Sequence, residues 1–103
     1  MNTVTNGGET ALMIAARNNQ LDEVISLMKH PGIDLNVQGS NNNWTALHWA
    51  VYHNHPAIVS QLLSDDKMDA SLKDHNNRTA LKDAFLLRRA ECVTILRQHG
   101  APE

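Results

Sequence analysis

Residues Thr45 to Leu63 read T-A-L-H-W-A-V-Y-H-N-H-P-A-I-V-S-Q-L-L, and an imperfect copy of this stretch lies on each side of it. Thr10-Ala11-Leu12 precedes Thr45-Ala46-Leu47 by 35 residues, and Thr79-Ala80-Leu81 follows it by 34. A period of that size marks a stacked repeat array. The agreement runs through the whole unit: Ala15, Ala50 and Ala84 share one offset, Val24, Val59 and Val93 a second, Leu27, Leu62 and Leu96 a third. Five apolar positions thus keep step, which predicts a recurring pair of short helices.

Other two-helix repeats share this period, so the residues inside the unit decide between them. Asn43-Trp44-Thr45-Ala46-Leu47-His48-Trp49-Ala50, followed by Val59 to Leu63, resembles the ankyrin repeat, whose pattern is G-x-T-P-L-H-x-A-A, a short turn and an aliphatic second helix. The resemblance covers roughly residues 6 to 101 and implies an all-α solenoid of helix-turn-helix units with finger loops. One domain is expected over 1–103, with repeats near 6–38, 39–73 and 74–101. Ala11, Ala46 and Ala80 stand where that family has proline, and Met13 and Lys82 replace the histidine that His48 retains.

Within the units, helices are expected from Thr10 to Arg17 or Asn18, over Leu21–Lys29, Ala46–His53, Pro56–Ser64, Ala80–Leu87 and Ala90–Gln98. Pro56 falls in a first turn, where a missing amide proton costs little. Asp34-Leu35-Asn36-Val37 resembles the lead-in to an extended hairpin finger. Gly8, Asn43 and Asn77 occupy the site two residues before each threonine, where the resemblance implies a left-handed turn that asparagine tolerates. The turn reading therefore takes precedence over the glycosylation pattern that Asn43-Trp44-Thr45 and Asn77-Arg78-Thr79 also match.

A chain of 103 residues forms one domain that buries about 60 to 65% of its unfolded surface. With 42% hydrophobic and 4% aromatic residues the core must be aliphatic. The net charge of −2 provides no general attraction to nucleic acid or membranes. Charge is uneven: residues 1–74 hold four basic and eight acidic side chains, residues 75–103 five basic and three acidic. Cys92 is the single cysteine, which excludes an intramolecular disulfide and fits a small buried hydrophobe in a reducing compartment. Met-Asn-Thr-Val-Thr-Asn has neither a basic start nor an apolar run, so a cytoplasmic protein is expected, or one of the host cytosol if it is a bacterial effector.

Chemistry finds little purchase. The six histidines show no metal-ligand spacing, no serine sits on a glycine elbow, and no glycine loop cradles phosphate, so neither a metal, a cofactor nor an enzyme is expected. Arg88, Arg89 and Arg97 with Lys82 offer a nucleic-acid alternative, set against a solvated end repeat that a solenoid requires. The resemblance implies a function in binding another protein through the concave face and finger loops, as a monomer. Carried over by position, the surface comprises Glu9, Arg17 and Asn18 in the first unit, Asn41, Asn42, Trp44, Tyr52 and His53 in the second, and Asn76, Arg78, Leu86 and Leu87 in the third. Trp44, Tyr52 and the leucine pair stand out because these sites tolerate polar residues in that fold, so large apolar groups there have no obvious core duty, and tryptophan and tyrosine are enriched at interface hot spots. The competing structural readings fold Trp44 onto the neighbouring finger, use Tyr52 as a shield for the turn, and carry Leu86 and Leu87 into the core. Trp49 is assigned to core packing against an adjacent repeat. A further alternative makes the chain the targeting segment of a larger protein such as a bacterial effector, with eleven asparagines among 103 residues in keeping with an AT-rich microbial genome.

Overall fold

Threonine opens the first helix of every unit. In the computed structural model, which describes residues 9–40 and 42–102, Thr10, Thr45 and Thr79 are extended N-caps whose hydroxyls accept the amides of Met13, His48 and Lys82. These caps start α1 (Ala11–Arg17), α3 (Ala46–Tyr52) and α5 (Ala80–Leu86). Each is followed by a turn and a second helix: α2 (Leu21–Met28), α4 (Pro56–Leu63) and α6 (Ala90–Gln98). The six helices are those expected, four of them ending a residue or so earlier because Lys29, His53, Ser64 and Leu87 serve as C-caps.

The turn inside each unit pivots on one left-handed residue: Asn19 (φ 57°), Asn54 (φ 58°) and Arg88 (φ 61°). Asparagine accepts this conformation readily, whereas arginine adopts it at a cost. Asn43 (φ 57°) and Asn77 (φ 62°) are left-handed too, as the turn reading requires, while Gly8 lies outside the described residues.

Helices stack in two layers. α1, α3 and α5 pack side by side, α2, α4 and α6 form the second row, and each pair packs internally. Alanines make this approach possible: Ala15, Ala50 and Ala84 are fully buried between inner helices. Leucines and valines fill the space between layers, including Val24, Leu47, Val59, Leu62, Leu81 and Leu96. Ile58, Val59 and Leu62 of the central unit are wholly buried, as are Val24, Cys92 and Leu96 in the second helices of the end units. Cys92 belongs to this core; burial pushes its thiol up to about 11.

Side chains join units through backbone acceptors. His55 Nε2 lies 3.1 Å from the Arg17 carbonyl, and Arg89 donates to the Tyr52 carbonyl at 2.8 Å, each closing the end of the preceding inner helix. On the finger side Asn36 Nδ2 donates to the Lys67 carbonyl at 2.8 Å and its Oδ1 accepts from Asp69 N at 2.7 Å. Gln38 Nε2 reaches both the Asn43 and Lys73 carbonyls. The fingers are closed by turns: Gly39 N donates to the Trp44 carbonyl and Asp74 N to the Arg78 carbonyl, each at 2.9 Å. Among the described residues they carry no strand ladder, in keeping with an all-α array whose fingers are loops. Asp34, Asp65, Asp69 and Asp74 accept amides two residues on, and such local bonds compete with strand pairing.

Candidate interaction surface

The ends of α3 and α5 and the second and third units' fingers enclose a cavity of about 140 Å³ on the concave side. Trp44 and Tyr52 form one wall and Leu86 and Leu87 the other, with Asn76 and Arg78 at the rim. His48, Asp74 and Asp83 are buried at its floor. Six of the residues expected to bind a partner therefore converge on one depression.

Aromatic rings define the wall. Trp44 meets Trp49 edge-on at 4.6 Å between centroids and Tyr52 at 4.8 Å. Trp49 stacks on His53 at 5.8 Å, and His53 on His55 at 6.1 Å. Arg17, paired with Glu9, lies 5.4 Å from the Trp49 ring centre, within cation–π range. Burial, reinforced by His55, Arg17 and Arg89, lowers the His53 imidazole from its ordinary value and favours its neutral form. Trp49 packs against the core with one edge, as expected, yet its ring also belongs to this aromatic series, and its Nε1 is buried without an acceptor among the described residues.

Trp44 is fixed from two sides. Its amide donates to Asn42 Oδ1 at 3.0 Å and its indole Nε1 to Asp74 Oδ2 at 3.2 Å, so it does lean on the neighbouring finger while one ring remains in the cavity. Asp74 Oδ1 accepts the amides of Asn76 and Arg78 at 2.9 and 3.0 Å. Burial works against its charge, but hydrogen bonds from Asp83, Arg78 and Asn76 and the nearby His48 hold the Asp74 carboxyl below the usual range. Asp83 is the opposite case. Burial, then the hydrogen bond to Asp74 and its negative charge, push the Asp83 carboxyl up to about 8 against the opposing pull of Arg78. The two acids hence share a proton at neutral pH.

His48 Nδ1 accepts the Thr45 amide at 3.2 Å, completing a capping box in place of the usual glutamate, and Nε2 donates to the Arg78 carbonyl at 3.2 Å. Burial lowers its pKa from the ordinary value. His48, Asp74 and Asp83 bring possible ligand atoms within 4.8 Å of one another, a grouping that the spacing of the sequence did not suggest. Both imidazole nitrogens are already engaged in bonds that hold the turn, so this set does not fit a metal ion without dismantling the cap.

The remaining expected residues are spread along the same face. Asn18 is the exposed C-cap of α1, His53 is exposed at the end of α3, and Asn42 accepts the His75 amide at 2.8 Å across the fingers. Asn41 lies outside the described residues. Leu86 and Leu87 do not continue into the core: they are 48% and 36% exposed, beside Tyr52 at 44%. The basic residues of the last unit are divided, since Arg89 reaches back to Tyr52 while Lys82 and Arg97 border an open hollow of about 430 Å³ around Phe85.

Three stacked helix pairs, fingers on one edge and a lined concave face define a helical repeat array. The chain belongs to the ankyrin repeat family: the family model for ankyrin repeats, in three copies, matches residues 1–74 and 37–102. Ankyrin repeats bind other proteins. The chain is 39% identical over 95 residues to SMC5-SMC6 complex localization factor protein 1 of Bos taurus, covering 92% of this chain and 9% of that protein. It is 38% identical over 87 residues to ankyrin repeat and SAM domain-containing protein 6 of Rattus norvegicus, covering 84% and 10%. BTB/POZ domain-containing protein 1 of Schizosaccharomyces pombe is 42% identical over 81 residues, covering 79% and 6%. The chain thus spans about a tenth or less of the length of these relatives. No helix among the described residues is long and apolar enough to cross a membrane.

Proposed function

We propose that the chain binds a partner protein through its concave face and finger tips, with Trp44 and Tyr52 as central anchors and Arg17 and Arg78 at the edges. The observation that carries this reading is the exposure of Tyr52, Leu86 and Leu87 around one cavity whose rim and floor are polar. Large apolar groups gathered at a depression gain about 25 cal/mol for each Å² that a partner covers. The Trp44 side chain is held by one hydrogen bond and two ring contacts, so little of its entropy is lost when it is covered. No catalytic step is assigned to any residue.

The test is the Trp44→Ala/Tyr52→Ala double variant. Partner captured with the original chain from lysate of the source organism, then titrated, should bind the variant at least ~30-fold more weakly, a loss of about 2 kcal/mol or more. Far-UV circular dichroism should remain that of a helical protein. An unchanged affinity removes the concave face from consideration. A second reading, that these repeats deliver a larger protein to its place of action, is supported by the small fraction of each relative they span and by a relative named as a localization factor. A transcript whose reading frame continues beyond these residues into another domain is expected on that reading.

A further inference from the structure

We propose that a second copy of this chain stacks head to tail on the third unit, its first unit taking the place of a fourth. The face concerned lies outside the concave cavity, so the inference goes beyond the concave-face reading. Ala16, Val51 and Phe85 share one position in α1, α3 and α5; the first two are fully buried, while Phe85 is 59% exposed. Phe85 stands at the open hollow edged by Lys73, Lys82 and Arg97. His48, the counterpart of Lys82, reaches the following unit at the Arg78 carbonyl, so this hollow marks the side on which a following unit would lie.

The joints between units indicate what covers it. Their contacts, carried forward by one repeat, bring the third unit of one copy against the first unit of the next. Where the second and third units meet, Cys92 Sγ lies 3.9 Å from Asn54 Oδ1. The counterpart of Asn54 in the third unit is Arg88, and that of Cys92 in the first unit is Glu23, both exposed. A neutral contact within the chain thus becomes a guanidinium facing a carboxylate between copies. His55 and Arg89 meet the Arg17 and Tyr52 carbonyls at 3.1 and 2.8 Å. The next carbonyl in that series belongs to Leu86, and the remaining position before a second helix to Gln20, whose side-chain amide is a donor. The His48–Arg78 bond likewise becomes Lys82 against the Glu9 carbonyl, again a donor for an acceptor.

The two ends are therefore complementary rather than alike. Glu23 occupies the place of Ile58 and Cys92, both fully buried, and a carboxylate there would be costly inside an array unless paired. Arg88 takes a left-handed φ of 61° at the joint where the other units have asparagine. Opposite charges so arranged select a head-to-tail joint over one that sets two basic ends against each other. α1 of the incoming copy then covers Phe85 as α5 covers Val51. Each addition leaves both outer ends open, so growth continues past two copies.

Sedimentation velocity of the purified chain from about 10 µM to about 1 mM, a span that includes weak interfaces, is the test. The weight-average mass should rise with concentration and pass that of two chains. Glu23→Arg and Arg88→Glu should each weaken association at least about tenfold, by setting like charges against each other. An equimolar mixture of the two should regain it, since each variant supplies the charge that the other now lacks. Phe85→Gln, at an exposed position, should also weaken association about tenfold and keeps the test intact if Arg88→Glu folds poorly. A single species of one chain's mass at about 1 mM overturns the proposal and leaves the face to another occupant, such as further repeats of a longer chain. A mass that levels off at two copies, association indifferent to all three substitutions, or a mixture of folded variants no stronger than its components also overturns it. Trp44 and Tyr52 are unaltered throughout, so the outcome is separate from that of the concave-face test.

Discussion

Asp83 occupies the position in its helix that Ile14 and Trp49 hold in the other two units. An acid in an apolar column is visible in the aligned copies. Its partner Asp74 is not, because Asp74 lies in a finger where acids are ordinary and only the folded chain brings the carboxyls together. The pair has a consequence for stability. The Asp83 carboxyl is raised from 3.8 to about 8, so the folded chain holds a proton that the unfolded chain has lost over that interval. Asp83 thus favours folding least above pH 8, its contribution being full below about pH 4 and falling in between. Asp74, held below its ordinary value, acts the other way and only at more acid pH. Asp83→Asn removes the penalty: relative to the original chain it should gain about 1 kcal/mol between about pH 5 and pH 9, after allowing for water at the open side of the cavity. Thermal melts at the two pH values measure the difference, and parallel shifts in both proteins would show that Asp83 does not titrate in this window.

Each unit turns on a single left-handed residue, and these joints differ in cost. Asn19 and Asn54 hold φ near 58° with a side chain suited to it, whereas Arg88 holds 61° without one. Arg88→Asn should raise stability by about 0.5–1 kcal/mol, seen as a higher urea midpoint at unchanged slope. A lower midpoint would mean that the arginine side chain contributes more than its backbone costs. At this scale the sequence was informative where local chemistry decides: threonine caps, asparagine turns and the proline of α4 all place element ends within a residue or so. At the fingers the resemblance implied extended loops between units, and loops closed by local turns are what the chain has. Side chains of Asp34, Asp65, Asp69 and Asp74 accept nearby amides there and fix the shape of the loops. The expected surface residues converge because they end α3 and α5 or tip the fingers. The acid floor was missed because it is a product of stacking.

The central unit carries the whole array, since its helices alone are covered on both sides. Leu62, fully buried between α2 and α6, leaves a cavity if truncated. Leu62→Ala should cost about 2–5 kcal/mol, a large share of the ~5–15 kcal/mol typical of a small domain, and lower the melting temperature by at least ~10 °C. Tryptophan fluorescence, which reports the central unit, and far-UV circular dichroism, which reports all helices, should give one coincident transition. Two separated transitions would show that the end units unfold independently. The bonds that join units share a further property: His55, Arg89 and Gln38 all meet main-chain carbonyls of a neighbour, groups that any amino acid provides. The joint is consequently indifferent to much of the neighbour's side-chain identity. A gene segment encoding one such unit can be duplicated, lost or exchanged while its fittings still find a seat, leaving the exposed positions free to diverge toward new ligands.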